Sequence, residues 1–260
     1  MIAEPESGAD DRDAKPQYTL RQINRVVRMP KLTARIDIAT KLTGVEKVPP
    51  MVEAEISAQA YSTSEFDLWK NVAHVVVSIE AQKKAAHDVL GLHVGDAAKE
   101  LARMENSQIK TIAEGATGVA GSDWGTQTNN PFDDIGGVMD TIEGNGYPVD
   151  FIAADPLVWL DFFSNEFVRG TARGAQLPRE RTFAVPGLPG VTGISDTALT
   201  STIALVGSKA APALVLGEGP TESARYRDEK AGYDAFIIRQ WLEPKLVLSG
   251  AVRKLTGVHA

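Results

Sequence analysis

Histidines and carboxylates are the side chains from which an enzymatic site would have to be built here, because the 260 residues include no cysteine. That absence excludes disulfides, thiolate nucleophiles and zinc–thiolate centres. The histidines are His74, His87, His93 and His259. His87 and His93 stand six positions apart, so they miss the three-or-four spacing that sets two ligands on one helical face. The chain has no His-Glu-x-x-His, no Gly-x-Gly-x-x-Gly following a strand and no Walker loop. Gly187-Leu188-Pro189-Gly190 and Gly217-Glu218-Gly219-Pro220 place proline where a phosphate cradle needs free N–H groups, and both read as turns.

Paired acids are the next candidates. Asp133 with Asp134, and Asp150 with Asp155, adjoin prolines and apolar runs in the manner of helix caps and turns. Glycosidase-like chemistry needs two acids about 5 to 9 Å apart across a cleft, a geometry that these spacings do not specify. A hydrolase using Asp123, Asp133 or Asp155 is the enzymatic alternative. The glycine-rich stretch 118–128, with Asp123 and Trp124, reads as a surface loop rather than a lid. No cofactor, metal or catalytic residue is expected.

Bulk composition agrees with a globular, non-enzymatic reading. Apolar residues make up 43%, and 34 acidic residues outnumber 27 basic ones for a formal charge of -7. A pI near 5.2 does not advertise affinity for nucleic acid. No run approaches the ~20 apolar residues of a spanning helix, so no membrane contact is expected.

The elements follow a distinctive order. Residues 1–16 carry Glu4, Glu6, Asp10, Asp11 and Asp13 against Arg12 and Lys15 and have almost no bulky apolar side chains, so a disordered acidic tip without a secretory signal is expected. Between residues 17 and 47, Arg21, Arg25, Arg28, Lys31, Arg35, Lys41 and Lys47 face only Asp37 and Glu46. Leu20, Ile23, Val26, Val27, Leu32, Ile36, Ile38 and Leu42 are interleaved, and Pro30 argues against one helix. Beyond Pro49-Pro50, Val52, Ala54, Ile56 and Ala58 alternate with polar residues as a half-exposed strand. A turn around Ser62-Thr63-Ser64 and a returning strand from Val72 to Ile79 would complete a hairpin, which is marginal alone in water.

Glu80 to Leu90 reads as helical, and a longer helix follows over 94–113 with Val94, Ala97, Leu101, Met104, Gln108 and Ile112 on one face. Asn130-Pro131-Phe132-Asp133-Asp134 and Asp155-Pro156 are helix starts. Short strands are expected at 150–154, 203–206 and 213–216, and stronger ones at 235–242 and 246–255, with Pro244 separating the last two. Arm and ribbon lack enough local core for their apolar sides.

This order resembles the major capsid protein family of tailed viruses, with its HK97-like fold, and the related encapsulin shell proteins. The matching stretches are Val149-Asp150-Phe151-Ile152-Ala153-Ala154-Asp155-Pro156-Leu157-Val158-Trp159, Val185-Pro186-Gly187-Leu188-Pro189-Gly190-Val191, Phe236-Ile237-Ile238-Arg239 and Pro244 to Val258. The resemblance implies an α+β fold with an N-terminal arm (17–48) and an extended β-hairpin loop (49–75). A peripheral domain (76–130 and 217–260) would contain a spine helix over 94–113, and an axial domain would span 131–216. The 118–128 loop would then lie near a symmetry contact.

It also implies a function: a structural shell subunit that self-assembles, in the host cytoplasm, into an icosahedral viral capsid enclosing double-stranded DNA. Expected partners are many copies of itself, portal, scaffold and decoration proteins, and packaged DNA in weak non-specific contact. An encapsulin-like nanocompartment is the alternative shell, although the basic arm does not look like the amphipathic N-terminal helix of encapsulins. Some viral members crosslink a hairpin lysine to a neighbour. Here the hairpin offers only Lys70, near its base, so noncovalent adhesion is expected. Aromatic and arginine side chains dominate such contacts, which nominates Tyr61, Phe66, Trp69, Arg21, Arg25, Arg28 and Arg35. Intrachain core is the alternative for the three aromatics.

Overall fold

A computed structural model of the chain describes residues 18–39, 61–84, 89–171, 178 and 180–260. A 3-10 turn at Leu20–Ile23 leads into β1 (Arg25–Arg28), β2 (Thr33–Ala39), β3 (Tyr61–Asp67) and β4 (Trp69–Ser78). Then come α1 (Ile79–Lys84), α2 (Val89–Glu114), β5 (Gly118–Ala120), α3 (Pro131–Gly144), β6 (Phe151–Ala154), α4 (Pro156–Ser164) and α5 (Glu166–Thr171). The chain closes with β7 (Thr182–Ala184), β8 (Thr192–Ser195), β9 (Ile203–Gly207), β10 (Leu214–Asp228), β11 (Tyr233–Leu246) and β12 (Val252–Thr256). Among the described residues the strands form a four-stranded sheet β1-β10-β11-β4, a six-stranded sheet β5-β12-β9-β6-β8-β7 and a β2-β3 ribbon.

The capping motifs act as their chemistry dictates. The Asn130 side chain accepts from Phe132 N, with Pro131 in the first turn and Asp133 and Asp134 behind it. Asp155 accepts from Leu157 N at the start of α4. The 26 residues of α2 span about 39 Å at the usual helical rise. Its buried positions are Ala97, Leu101, Glu105, Asn106, Ile109 and Ala113. The helix starts five residues before the expected Val94 and runs through Gly91 and Gly95. Each glycine lowers helix propensity by about 1 kcal/mol, which is why that stretch reads as a break.

The six-stranded sheet is covered on both sides. Ile152 and Ala154 point to a core that includes Ile135, Val138, Val158, Trp159 and Phe162 from α3 and α4. Phe151 and Ala153 point to the opposite core, with Ile109 and Ala113 of α2 and with Leu20 and Ile23. All four residues of β6 are therefore buried. β12 lies between β5 and β9 within this sheet, with Val252 in one core and Leu255 in the other. The grouping of 76–130 and 217–260 as one body thus fails at β5 and β12. A strand with both faces buried cannot be removed from the sheet that buries it.

Three strand expectations are also corrected. The stretch around Ser62-Thr63-Ser64 is part of β3, which pairs antiparallel with β2 from Thr33–Asp67 to Ala39–Tyr61. Thr63 and Glu65 share one side of the ribbon, where the Thr63 hydroxyl donates to Asp37 at 3.1 Å. The expected partner strand at 52–59 lies outside the described residues. β4 joins the four-stranded sheet beside β11, from Trp69–Leu242 to Ser78–Tyr233. Asn71, Ala73 and Val77 give it the buried side that a free ribbon lacks. Finally, Gly217 and Pro244 end no strand. β10 continues past an irregularity between Glu218 and Thr221, and Leu216 pairs with Pro244. Since β4 stops opposite Leu242, Pro244 has a strand neighbour on one side only, where proline is tolerated.

The 118–128 segment is pinned rather than free. Trp124 is fully buried and its indole N–H donates to Asp134 at 3.0 Å. Asn165 Nδ2 donates to the carbonyls of Trp124 and Asn129 at 2.9 and 3.0 Å.

Two stability outcomes follow from this packing. A Cβ at Gly207 would meet Val252 Cγ2 and come within 2.8 Å of Phe151 Cζ. Gly207→Ala should therefore cost about 1–3 kcal/mol, read from urea unfolding midpoints. On β11, burial alone would raise the Asp234 carboxyl, but the Arg225 hydrogen bond and the charges of Arg225 and Arg227 hold it below its ordinary value. A depressed folded-state value means this stabilisation is present above the unfolded pKa, about 3.9, and disappears as pH falls through the folded one. The stability gap between wild type and Asp234→Asn should be flat at neutral pH and shrink in acid; a gap that grows in acid would refute the assignment.

Candidate assembly surface

Side chains alternate across each strand, so register alone divides the four-stranded sheet into two faces. One face carries Ala73, Val75 and Ile238, which pack on Ala97, Leu101 and Met104 of α2. On the other, the pairing sets out three rows: Val72, Arg239 and Glu222; His74, Ile237 and Ala224; and Val76, Ala235 and Tyr226. An ion pair links Arg239 to Glu222 at 3.9 Å. The Tyr226 hydroxyl and His74 Nε2 lie 3.1 Å apart, bridging β10 and β4 across β11.

Among the described residues, only the lower end of this face is covered. Phe66 and Leu68, from the base of the ribbon, pack with Met29, Val215 and Trp241. Gly217 and Gly219 permit the approach. A Cβ at Gly217 would come within 2.9 Å of Met29 and 3.1 Å of Phe66, and one at Gly219 within 3.0 Å of Leu68. These glycines are therefore not a turn; they are strand positions over which the ribbon base sits. Beyond them Val72, Val76 and Tyr226 are 37, 51 and 41% exposed, and Trp69, at the start of β4, is 71% exposed.

The nominated anchors separate on this geometry. Phe66 has no exposed surface and takes the intrachain alternative, because the ribbon base folds onto its own sheet. Arg21 is likewise engaged within the chain, 2.7 Å from Glu105 and 2.8 Å from Glu218. Burial alone would lower the Arg21 pKa, but these carboxylates outweigh it and raise it, so the charge is retained. Arg25 and Arg28 are exposed on β1. Arg35 pairs with Glu65 at 2.6 Å on the exposed side of the ribbon. Tyr61 begins β3, opposite Ala39. Only Trp69 of the aromatic trio is shown as freely exposed.

Sequence reasoning missed Val72, Val76 and Tyr226, although the alternation of Lys70, Val72, His74 and Val76 carried a signal for an open apolar face. It also took Leu20 and Ile23 for side chains that need a neighbour, whereas the chain buries both itself.

The candidate hydrolytic acids have structural roles. Asp123 accepts from Gly125 N and from the Thr126 hydroxyl. Asp155 caps α4, Asp133 is exposed in the first turn of α3, and Asp150 accepts from Lys209 N and Ala210 N. His259 contacts Asp161, His93 is exposed on α2, and His87 lies outside the described residues. Among the described residues no three His, Asp or Glu side chains group as metal ligands. No helix is long and apolar enough to cross a membrane.

No protein-family model matches the sequence, and neither does any curated protein. Solved structures do match it, over nearly the whole chain. The capsid structure of cyanophage P-SCSP1u superposes with a TM-score of 0.72 at 13% identity, covering 94% of this chain and 89% of that one. A structure from Microbacterium phage Oxtober96 gives 0.67 at 12% identity over 98% and 93%. A virus-like particle from Pyrococcus furiosus gives 0.63 at 15% identity over 94% and 95%. Two sheets joined by one long helix, with a ribbon at the base of the smaller sheet, thus make up an α+β architecture, and it is the HK97-like capsid fold.

Proposed function

We propose that this chain is a structural subunit of a closed icosahedral shell of the kind that tailed viruses assemble around double-stranded DNA. The observation that carries the proposal is the uncovered upper end of the sheet face, Val72, Val76 and Tyr226, beside Trp69. Burying a large apolar side chain is worth about 1.5–3 kcal/mol, and the chain leaves these four without cover from its described residues. A specific interface needs about 1,000 Å² of buried surface, and a neighbouring copy can supply it here. Leu157 and Leu160, exposed on α4, offer a second contact on the six-stranded lobe.

In this reading α2 is the spine helix, the four-stranded sheet with α2 is the peripheral domain, and the six-stranded lobe, including β5 and β12, is the axial domain. The β2-β3 ribbon is the base of the extended loop. Trp69, Tyr61, Arg25, Arg28 and Arg35 remain the intersubunit anchors, while Phe66 and Arg21 act inside the subunit. The exposed Arg25 and Arg28 also suit loose contact with phosphates, which is sequence-independent and weakens with salt. Portal, scaffold and decoration proteins would be further partners, and the site of action would be the virion, assembled in the host cytoplasm. The chain carries no catalytic role. A compartment-type shell of the same fold is the second reading, and the contents separate the two: DNA in one, a cargo protein in the other.

Purified protein should form closed particles visible by negative-stain microscopy and light scattering; a monodisperse monomer across salt and pH would refute the reading. Val72→Lys with Val76→Lys should abolish the particles. As exposed positions, each should change unfolding stability by only about 0.5 kcal/mol.

A further inference from the structure

A chain of buried polar contacts joins the two lobes, and none of the chemistry described above uses it. Asp196, which directly follows β8 in the six-stranded lobe, is fully buried. Its Oδ2 accepts from Thr19 N at 2.7 Å and from the Thr19 hydroxyl at 2.9 Å. Its Oδ1 accepts from Asn106 Nδ2 at 3.0 Å and from Ala198 N at 2.9 Å. On α2, Asn106 Oδ1 in turn accepts from Leu20 N at 3.1 Å. One residue earlier, Glu105 accepts from Arg21 at 2.7 Å and from Gln240 of β11 at 2.9 Å. The other arm of the Arg21 guanidinium reaches Glu218 of β10 at 2.8 Å. The path runs from lobe to helix to sheet, with residues 19–21 as its pin.

We propose that this clamp, with Asp196, Asn106 and Arg21 as positioning residues, fixes the angle between the six-stranded lobe and the four-stranded sheet, and that this angle sets the curvature of the shell. The second half rests on the shell-subunit reading; the first does not. Around the clamp, Leu20 and Ile23 pack with Phe151, Leu205, Ile109 and Leu216, a core shared by both lobes. Apolar contact is non-directional and tolerates a small rotation. Hydrogen bonds are directional, and a buried donor or acceptor left without its partner is costly. The polar chain therefore selects one arrangement from those the shared core permits, a use of buried polar groups that has precedent in specifying register.

The residue types fit the role. A carboxylate has about four acceptor sites, and Asp196 uses them on four donors. The amide of an asparagine would turn its own N–H groups toward some of these donors. Arginine offers a rigid fork that can hold carboxylates on two different elements, which a lysine ammonium does not reproduce. Identical subunits close into a shell only if their contact surfaces meet at fixed angles, so the relative setting of the two lobes passes directly into particle size.

The absence of cysteine makes a direct measurement possible. Asp140→Cys on α3 and Ser223→Cys on β10 place one spin label on each lobe at exposed positions. In full-length protein diluted with unlabelled chain, double electron–electron resonance should give one narrow distance distribution. Asp196→Asn and Arg21→Lys should broaden or shift it while circular dichroism stays native. Thr19→Val, which removes the hydroxyl and keeps the backbone bond, should do so less, and it serves if Asp196→Asn fails to fold. An unchanged distribution in folded variants overturns the clamp. Particle diameter tests the second half: shifted lobes with an unchanged diameter overturn the link to curvature. Wild-type protein that forms no particles overturns the shell reading and leaves the distance measurement to decide the clamp alone.

Discussion

A single stripe along α2 has to serve two sheets. Ala97 and Leu101 pack on the four-stranded sheet, whereas Ile109 and Ala113, two to three turns later, pack in the core beneath the six-stranded one. A helix with one apolar face can do this only if the sheets lie end to end along its length. The changeover falls at Glu105 and Asn106, the two polar residues in the stripe. Their hydrogen-bonding partners come from residues 20 and 21, from Asp196 and from Gln240. The overall architecture depends on this sharing. With the helix committed to both sheets, the outer face of the smaller sheet has no helix left to cover it.

Among the described residues that face is closed only at its lower end, where two glycines in β10 let Met29, Phe66 and Leu68 rest directly on the strand. Above them the rows of Val72, Val76 and Tyr226 stand uncovered, alternating with the Arg239–Glu222 pair. An isolated monomer with such a face on a valine-rich edge strand is prone to association. A surface that would be a liability in a monomeric enzyme is a ready interface for another chain.

The carboxylates serve the fold. Asp123 and Asp155 accept from donors of their own turn and helix start, Asp134 accepts from Ser122 of the glycine-rich loop, and Asp150 accepts from the Lys209 and Ala210 amides beyond β9. These bonds hold a turn, a glycine-rich loop and a helix start in place. A protein whose acids are engaged in this way has a well-defined lobe surface, and a repeating lattice requires that of every copy.

Local chemistry was legible in the residues themselves. Asn130-Pro131 and Asp155-Pro156 start helices because their side chains bond to amides two residues on, and the apolar stripe of the long helix follows from a 3.6-residue period. The valine run from Val72 to Val77 marked a strand but not which of its sides stays open. The order of these elements was enough to indicate the fold, but not which strands pair. A period of two gives a strand its faces and says nothing of its partner, so the polar stretch that forms β3 against β2 read as a turn, and nothing local placed β4 beside β11, some 160 residues away. Phe66 and Trp69 are both large aromatics three positions apart, yet one is sealed beneath the ribbon and the other stands in solvent. Only the crossing of the ribbon over Gly217 and Gly219 decides between them, because burial belongs to the assembled surface and not to the side chain. The same holds for Arg21 and Asp196: their charges are written in the sequence, but the partners that satisfy them meet only when distant segments converge on the changeover in α2.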